Sequence, residues 1–295
     1  MVIILSLGAA FFYAVGNILI QIGLRYSGVL AAVFINLVWG FLGGLSVYLF
    51  TASIEELFSI PVLYFILAGV MGSFIARLLS YMGIERIGTS ICSALMQSKP
   101  LFSALAAVVI LDERLTISMA FGIVLMVMGT ATISFEESGG KMQGNWSKKD
   151  LIFPLMAGAC FGVSHVFRKM GLMNIASQPI LGVTVQNAAA LALFFPFTLV
   201  LREGTKSKLD HKTGWIIFSL SGAANLMAQA CLFYALNLGQ VVTVSPLVSL
   251  EPFFVLFLVG IFLRKVERIT FRLVIGTILI VGGAVLLCWL PLNHG

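Results

Sequence analysis

The stretch ALMQSKPLFSALAAVVIL, Ala94 to Leu111, places Lys99 and Pro100 inside a run otherwise apolar enough to cross a bilayer. A charge near the middle of such a run costs at least about 2.5–3.5 kcal/mol unless it faces water or an opposite charge. The lysine therefore needs a partner, and the rest of the chain has to supply it. Composition settles the solvent: 60% of the residues are hydrophobic and only 10% charged, with a mean hydropathy of +1.06, whereas a soluble domain is about 25% charged.

A helix that spans the roughly 30 Å hydrocarbon layer needs about 20 mostly apolar residues. Dividing the chain at its polar breaks gives ten such segments, at approximately 2–22, 30–50, 62–82, 89–111, 116–135, 151–171, 179–200, 214–236, 241–263 and 270–290. The longest breaks, 136–150 and 202–214, are too short to fold as soluble domains. Function is thus expected inside the bundle. A β-barrel would need segments of about 10 residues with alternating polarity, which these are not. The first segment has no positive region before it and no small-residue cleavage site after it, so a permanent helix is expected rather than a signal peptide. The fold class is an all-α integral membrane protein of ten transmembrane helices, multi-pass in the cell membrane. Cys92, Cys160, Cys231 and Cys288 all fall in apolar segments without paired spacing, which points to packing and to no metal or disulfide framework. The net charge of +6 belongs to loops beside the membrane and not to a nucleic-acid surface.

The chain repeats itself. ERLT (Glu113 to Thr116) precedes a glycine-led apolar run at Gly122, and ERIT (Glu267 to Thr270) precedes another at Gly276, at the same spacing. GIERIGTSICSALMQSKP (Gly83 to Pro100) matches ALNLGQVVTVSPLVSLEP (Ala235 to Pro252) in length and in its closing proline, and AVGNILIQIGL from Ala14 lies over GVSHVFRKMGL from Gly162. The organisation read from this is a first five-helix repeat at 1–135, a polar linker at 136–150 and a second five-helix repeat at 151–295. An odd number of crossings per unit inverts the second unit relative to the first, the plan of many secondary transporters. In this register Lys99 falls on Glu251, each directly before the shared proline, and Asn17 falls on His165. Two midplane positions related by a two-fold axis could approach each other, and lysine with glutamate is the pair that would offset each other's desolvation.

This ten-helix, five-plus-five chain, with its helix-four and helix-nine prolines, ER turns and glycine-rich helices, resembles the EamA-type transporters of the drug/metabolite transporter superfamily. The resemblance implies a secondary transporter of small metabolites, amino acids or drugs, often an exporter, working by alternating access around a central cavity between the halves. It implies no cofactor; the partners are a small-molecule substrate, the bilayer and coupled protons or ions.

For Lys99 and Glu251 two readings stand side by side: a buried pair that fixes helices four and nine, or a substrate or proton site. Gln97, Ser98 and Ser249 lie beside them and add hydrogen-bonding capacity. His165, whose ordinary pKa lies near neutrality, and Asn17 either hydrogen-bond a neighbouring helix or line the cavity, with His165 and Glu251 as the protonatable groups at membrane depth. Asn225 and Gln229, which align with Ser73 and Arg77, form a polar stripe that fits either a cavity wall or interhelical hydrogen bonding. Arg168 and Lys169 are read as snorkelling toward a helix end, and Arg77 as an interface residue outside the transport path. A zwitterion such as an amino acid could use both Lys99 and Glu251. Gly122 and Gly129, like Gly276 and Gly283, are seven apart and present a smooth helix face. No glycine run has the strand and lysine of a phosphate loop, which argues against ATP-driven transport. The sequence has no HExxH or GxSxG and only three histidines, so an intramembrane enzyme is not expected. A membrane receptor or a lipid-handling protein is the alternative, separable by flux in proteoliposomes.

Basic residues are strongly sided. The side of both termini carries Arg114 in its loops plus Arg168 and Lys169 at a helix end, whereas Arg25, Arg86, Lys141, Lys148, Lys149, Arg202, Lys206, Lys208, Lys212, Arg264, Lys265 and Arg268 lie on the opposite side. The positive-inside rule then puts both termini outside, while the family resemblance implies both inside. A C-terminal reporter that works only in the cytoplasm is expected to stay silent; a signal would reverse the assignment.

Overall fold

In lipid a backbone has no water to bond, so the apolar runs satisfy their amides within helices. The computed structural model describes residues 1–51, 61–112, 117–134, 147–174, 179–201, 212–262 and 270–289, and all regular structure among them is helical. The ER turns up to Arg268, most of the polar linker and the loop after residue 201 lie outside the described residues. Helices α1 (Val2–Gly23) and α2 (Val29–Thr51) are continuous. The third span is composite: α3 (Val62–Ala68), a wide π segment (Gly69–Ala76) and α4 (Arg77–Ile87). The fourth is α5 (Thr89–Leu95), a tight 3₁₀ turn (Met96–Ser98) and α6 (Lys99–Leu111). Then follow α7 (Ile117–Ser134), α8 (Ile152–Asn174), α9 (Pro179–Leu201), α10 (Lys212–Leu238), α11 (Val241–Val248), α12 (Glu251–Phe262) and α13 (Phe271–Trp289). Among the described residues, eight spans are long and apolar enough to cross a membrane.

The two breaks that matter most fall just before Lys99 and just before Glu251. Proline has no backbone N–H and fits best in a helix's first turn. Pro100 and Pro252 are each the second residue of a new helix, α6 and α12, so both spans are interrupted where the sequence alone reads as an unbroken run. Through the first break the backbone stays hydrogen-bonded, the Lys99 N–H donating to the Met96 carbonyl, so Lys99 and Glu251, each in the first turn of its helix, depend on each other for a counter-charge.

Packing places the polar residues inside. Helix α1 packs on α10, α2 on α9 and α10, α8 on the α3–α4 span and on α6, and α7 on α13. Phe50, Val109 and Phe271 on the outside are at least 80% exposed, as a lipid-facing surface requires, while Arg168 and Glu251 are 2% and 1% exposed. The α7–α13 contact is reciprocal: a Cβ on Gly129 would come 2.6 Å from the Gly276 carbonyl oxygen, and one on Gly283 would come 2.5 Å from that of Gly122. Small residues let these helix backbones touch, as membrane helix pairs commonly require. Gly129→Leu is expected to destabilise the protein by about 1–3 kcal/mol, the usual cost of overpacking. Thermal unfolding in detergent checks this, and an unchanged midpoint would show that the contact is not needed.

Candidate functional site

Lys99 and Glu251 meet. The Lys99 ammonium donates to Glu251 Oε2 at 3.1 Å, and Asn17 Nδ2 from α1 donates to Oε1 at 2.7 Å. Both carboxylate oxygens are therefore engaged. Lys99 also lies 5.8 Å from the centre of the Phe161 ring on α8. The breaks before α6 and α12 bring the two charges together, since each side chain leaves from the first residue of an inward-starting helix.

These residues line a cavity between α1, α4, α8, α10 and the broken helices, with a volume of about 40 Å³. A water needs about 10–15 Å³ by this kind of measure, so the cavity has room for about three, and a metabolite needs it to widen. Of the sequence-predicted residues, Lys99, Glu251, Asn17, His165 and Asn225 line it. Asn225 is held by Asn36, whose side-chain oxygen accepts from it at 2.8 Å.

Two predicted residues do not line it. Gln97 turns back on its own helix, donating to the Ser93 carbonyl at 2.7 Å. Gln229 lies behind the wall, where its side-chain oxygen accepts from Gln186 and, at 2.8 Å, from Asn187. Gln186 in turn accepts from Arg168 Nε at 3.0 Å, so Gln229 reaches the cavity only through this relay.

Arg168 and Arg77 correct the sequence reading. Arg168 does not snorkel: it is buried, lines the cavity and lies 5.5 Å from the centre of the Phe233 ring. Gly72, in the π segment, leaves space for Ser164 and for Arg168, because a Cβ there would clash with Ser164 Oγ and come 2.9 Å from Arg168 Nη2. Arg77 is the first residue beyond the π segment, and it too lines the cavity. π turns are often found at functional sites. Lys169, the neighbour of Arg168, donates to the carbonyls of Leu236 and Gly239 at 2.9 Å each, closing the C-terminal end of α10. Tyr13, Tyr81 and Phe161, aromatic residues that the sequence reading did not single out, complete much of the wall.

One turn beyond Asn17 along α1, the Gln21 side-chain oxygen accepts from the Thr89 backbone N–H at 3.3 Å, and Thr89 Oγ1 faces the Asn17 carbonyl at 3.4 Å. Gln21 also lines a second cavity of about 240 Å³, with the exposed Arg25 and Glu85 at its mouth. A thin layer around Gln21 and Thr89 thus separates the inner cavity from the end of the bundle.

A bundle of apolar helices around a buried, charged cavity defines a multi-pass membrane protein. The model of the EamA-like transporter family matches residues 1–135 and again residues 148–289, and the chain belongs to that family. It is accordingly a transporter of the drug/metabolite type, working on a small-molecule substrate in a bilayer. Among solved structures, a crystal structure 15% identical in sequence superposes with a TM-score of 0.72, covering 99% of this chain and 98% of that one, a likeness of fold. No curated protein matches the sequence.

Removing one partner of a buried ion pair typically costs about 3–5 kcal/mol, because the other is left uncompensated. Lys99→Met and Glu251→Gln are each expected to lower the unfolding midpoint sharply, and the double variant is expected to recover most of the loss. Additive losses in the double variant would show that the pair is not coupled.

Proposed function

We propose that this protein is a secondary transporter, an exporter in the cell membrane, that moves small polar metabolites by alternating access around the Lys99–Glu251 cavity. In this reading ten helices cross the membrane as two inverted repeats, 1–135 and 151–295, joined by the linker 136–150. The observation that carries the proposal is the meeting of two broken helices, α5–α6 and α11–α12, at a buried ion pair on the cavity wall. Discontinuous helices at the interface of inverted repeats are where transporters place their sites.

Contacts between equivalent elements support the repeat. Helix α1 of the first unit packs on α10 of the second, and α8 packs correspondingly on the α3–α4 span. Equivalent helices α2 and α9 pack on each other, as do α7 and α13 with their reciprocal glycines. Such self-complementary exchange is what a two-fold relation requires. The small volume of the cavity fits an occluded state, and the layer at Gln21 and Thr89 is the barrier that would part to open it toward Arg25 and Glu85.

Within the site, Lys99, Glu251, Asn17, His165 and Asn225 contact the substrate, while Gln97 and Gln229 support the helices around it. Energy comes from an ion gradient, with His165 and Glu251 as the groups that carry protons. In proteoliposomes, substrate flux is expected to follow an imposed proton gradient and to collapse on adding a protonophore. The double variant Lys99→Met with Glu251→Gln is expected to be folded and without flux. Parent-like flux in that folded variant would reduce the pair to a structural tie, and flux insensitive to the proton gradient would remove the coupling.

A further inference from the structure

The cavity is unequally charged. Arg77, Lys99 and Arg168 face it with a single carboxylate, Glu251, leaving a formal excess of two positive charges with His165 neutral. Lys99 and Glu251 satisfy each other, so the excess resides on the two arginines. Both are buried, at 5% and 2% exposure, and each leaves Nη1 without a hydrogen-bond partner. No described carboxylate pairs with either one. The other carboxylates among the described residues are Glu85, Asp112 and Asp150, toward the ends of helices or beyond them.

Most of the unmet hydrogen bonding has the same sense. Besides the two guanidinium Nη1 groups, the Tyr81 hydroxyl and His165 Nδ1 on the cavity wall are buried and unpartnered. A wall rich in donors and positive charge is complementary to a ligand rich in acceptors and negative charge. Arg168 is also held in place in advance: Gln186 accepts from its Nε, Tyr13 lies within hydrogen-bonding reach, and Phe233 lies near its guanidinium. A guanidinium held by its Nε and left with an unpartnered Nη1 can receive an oxyanion once the cavity widens, since its planar fork matches two acceptor oxygens.

From this we infer that the substrate is a small organic anion whose carboxylate or phosphate group binds between Arg77 and Arg168, with Tyr13, Tyr81 and Phe161 walling the apolar part. The inference rests on the transporter reading for its meaning as substrate recognition. It departs from the zwitterion expectation because the one carboxylate that would hold an amine is already taken by Lys99 and Asn17.

A series that shares a ring and differs in charge tests it: phenylpropionate, phenyl phosphate, phenylalanine and phenethylamine, together with succinate and inorganic phosphate. Thermal stabilisation of the purified parent protein is expected from the anions and not from phenethylamine. The better of phenylpropionate and phenyl phosphate identifies the headgroup as carboxylate or phosphate. Arg168→Gln and Arg77→Gln are each expected to weaken anion binding by about tenfold or more, with Arg168→Lys recovering part of it. In proteoliposomes, the anions that stabilise the protein are expected to be the compounds whose flux follows the imposed proton gradient. Stabilisation by phenylalanine or phenethylamine above that by every anion overturns the inference, as does a parent protein that no anion stabilises; both outcomes are read on the parent whether or not the arginine variants fold. Anion binding without flux of any compound would leave the anion site standing and count against the transporter reading instead.

Discussion

An ammonium and a carboxylate 3.1 Å apart, buried where two helices begin, set the terms for the rest of this structure. Neither charge is tolerable alone in that setting, and each is admitted only because the other is there. Their meeting requires both helices to start in mid-membrane. That requirement explains the prolines that follow each charge, and the closeness with which the surrounding helices hold the two breaks together.

Around this pair the polar residues form two layers. Asn17 and His165 stand at the cavity with the ions, whereas Gln186, Gln229 and Asn187 sit behind and hold Arg168 through a relay of amides. An amide can donate and accept at once, so such a relay fixes a guanidinium without adding a second buried charge. The outer surface does the opposite, presenting bare apolar side chains to lipid. The protein is thus polar within and apolar without, and the energetic demands of burying charge fall on a few groups.

Much of this was legible in the sequence because lipid is an unforgiving solvent. A lysine amid apolar residues had to be paired, and the repeat register named Glu251 as the partner before any distance was known. The same register brought Asn17 and His165 to the site. Reading failed where depth was measured by counting residues from the end of a hydropathic segment. Arg168 and Arg77 looked terminal on that count, yet the third span runs to Ile87 and α8 to Asn174, so both arginines lie deeper than they seemed. Gln229 took the second of its two readings, interhelical hydrogen bonding. It shares a helix face with Asn225, but one turn along that face is enough to leave the cavity and enter the layer of amides. Gly72 was the available signal for Arg168, since a glycine in a helix often marks a close approach, but nothing in one sequence says what approaches.

The wide π segment ahead of Arg77 has a further consequence. A π turn holds one residue more than an α turn, and one residue corresponds to about 100° of rotation and 1.5 Å of rise in an α-helix. The direction in which Arg77 points is therefore fixed by the length of the stretch from Gly69 to Ala76 as much as by its composition. Shortening that stretch by one residue would give a more regular helix and turn the arginine toward a neighbouring face. Charge at the cavity could thus be gained or lost through a change in chain length, with every side chain in the wall left as it is.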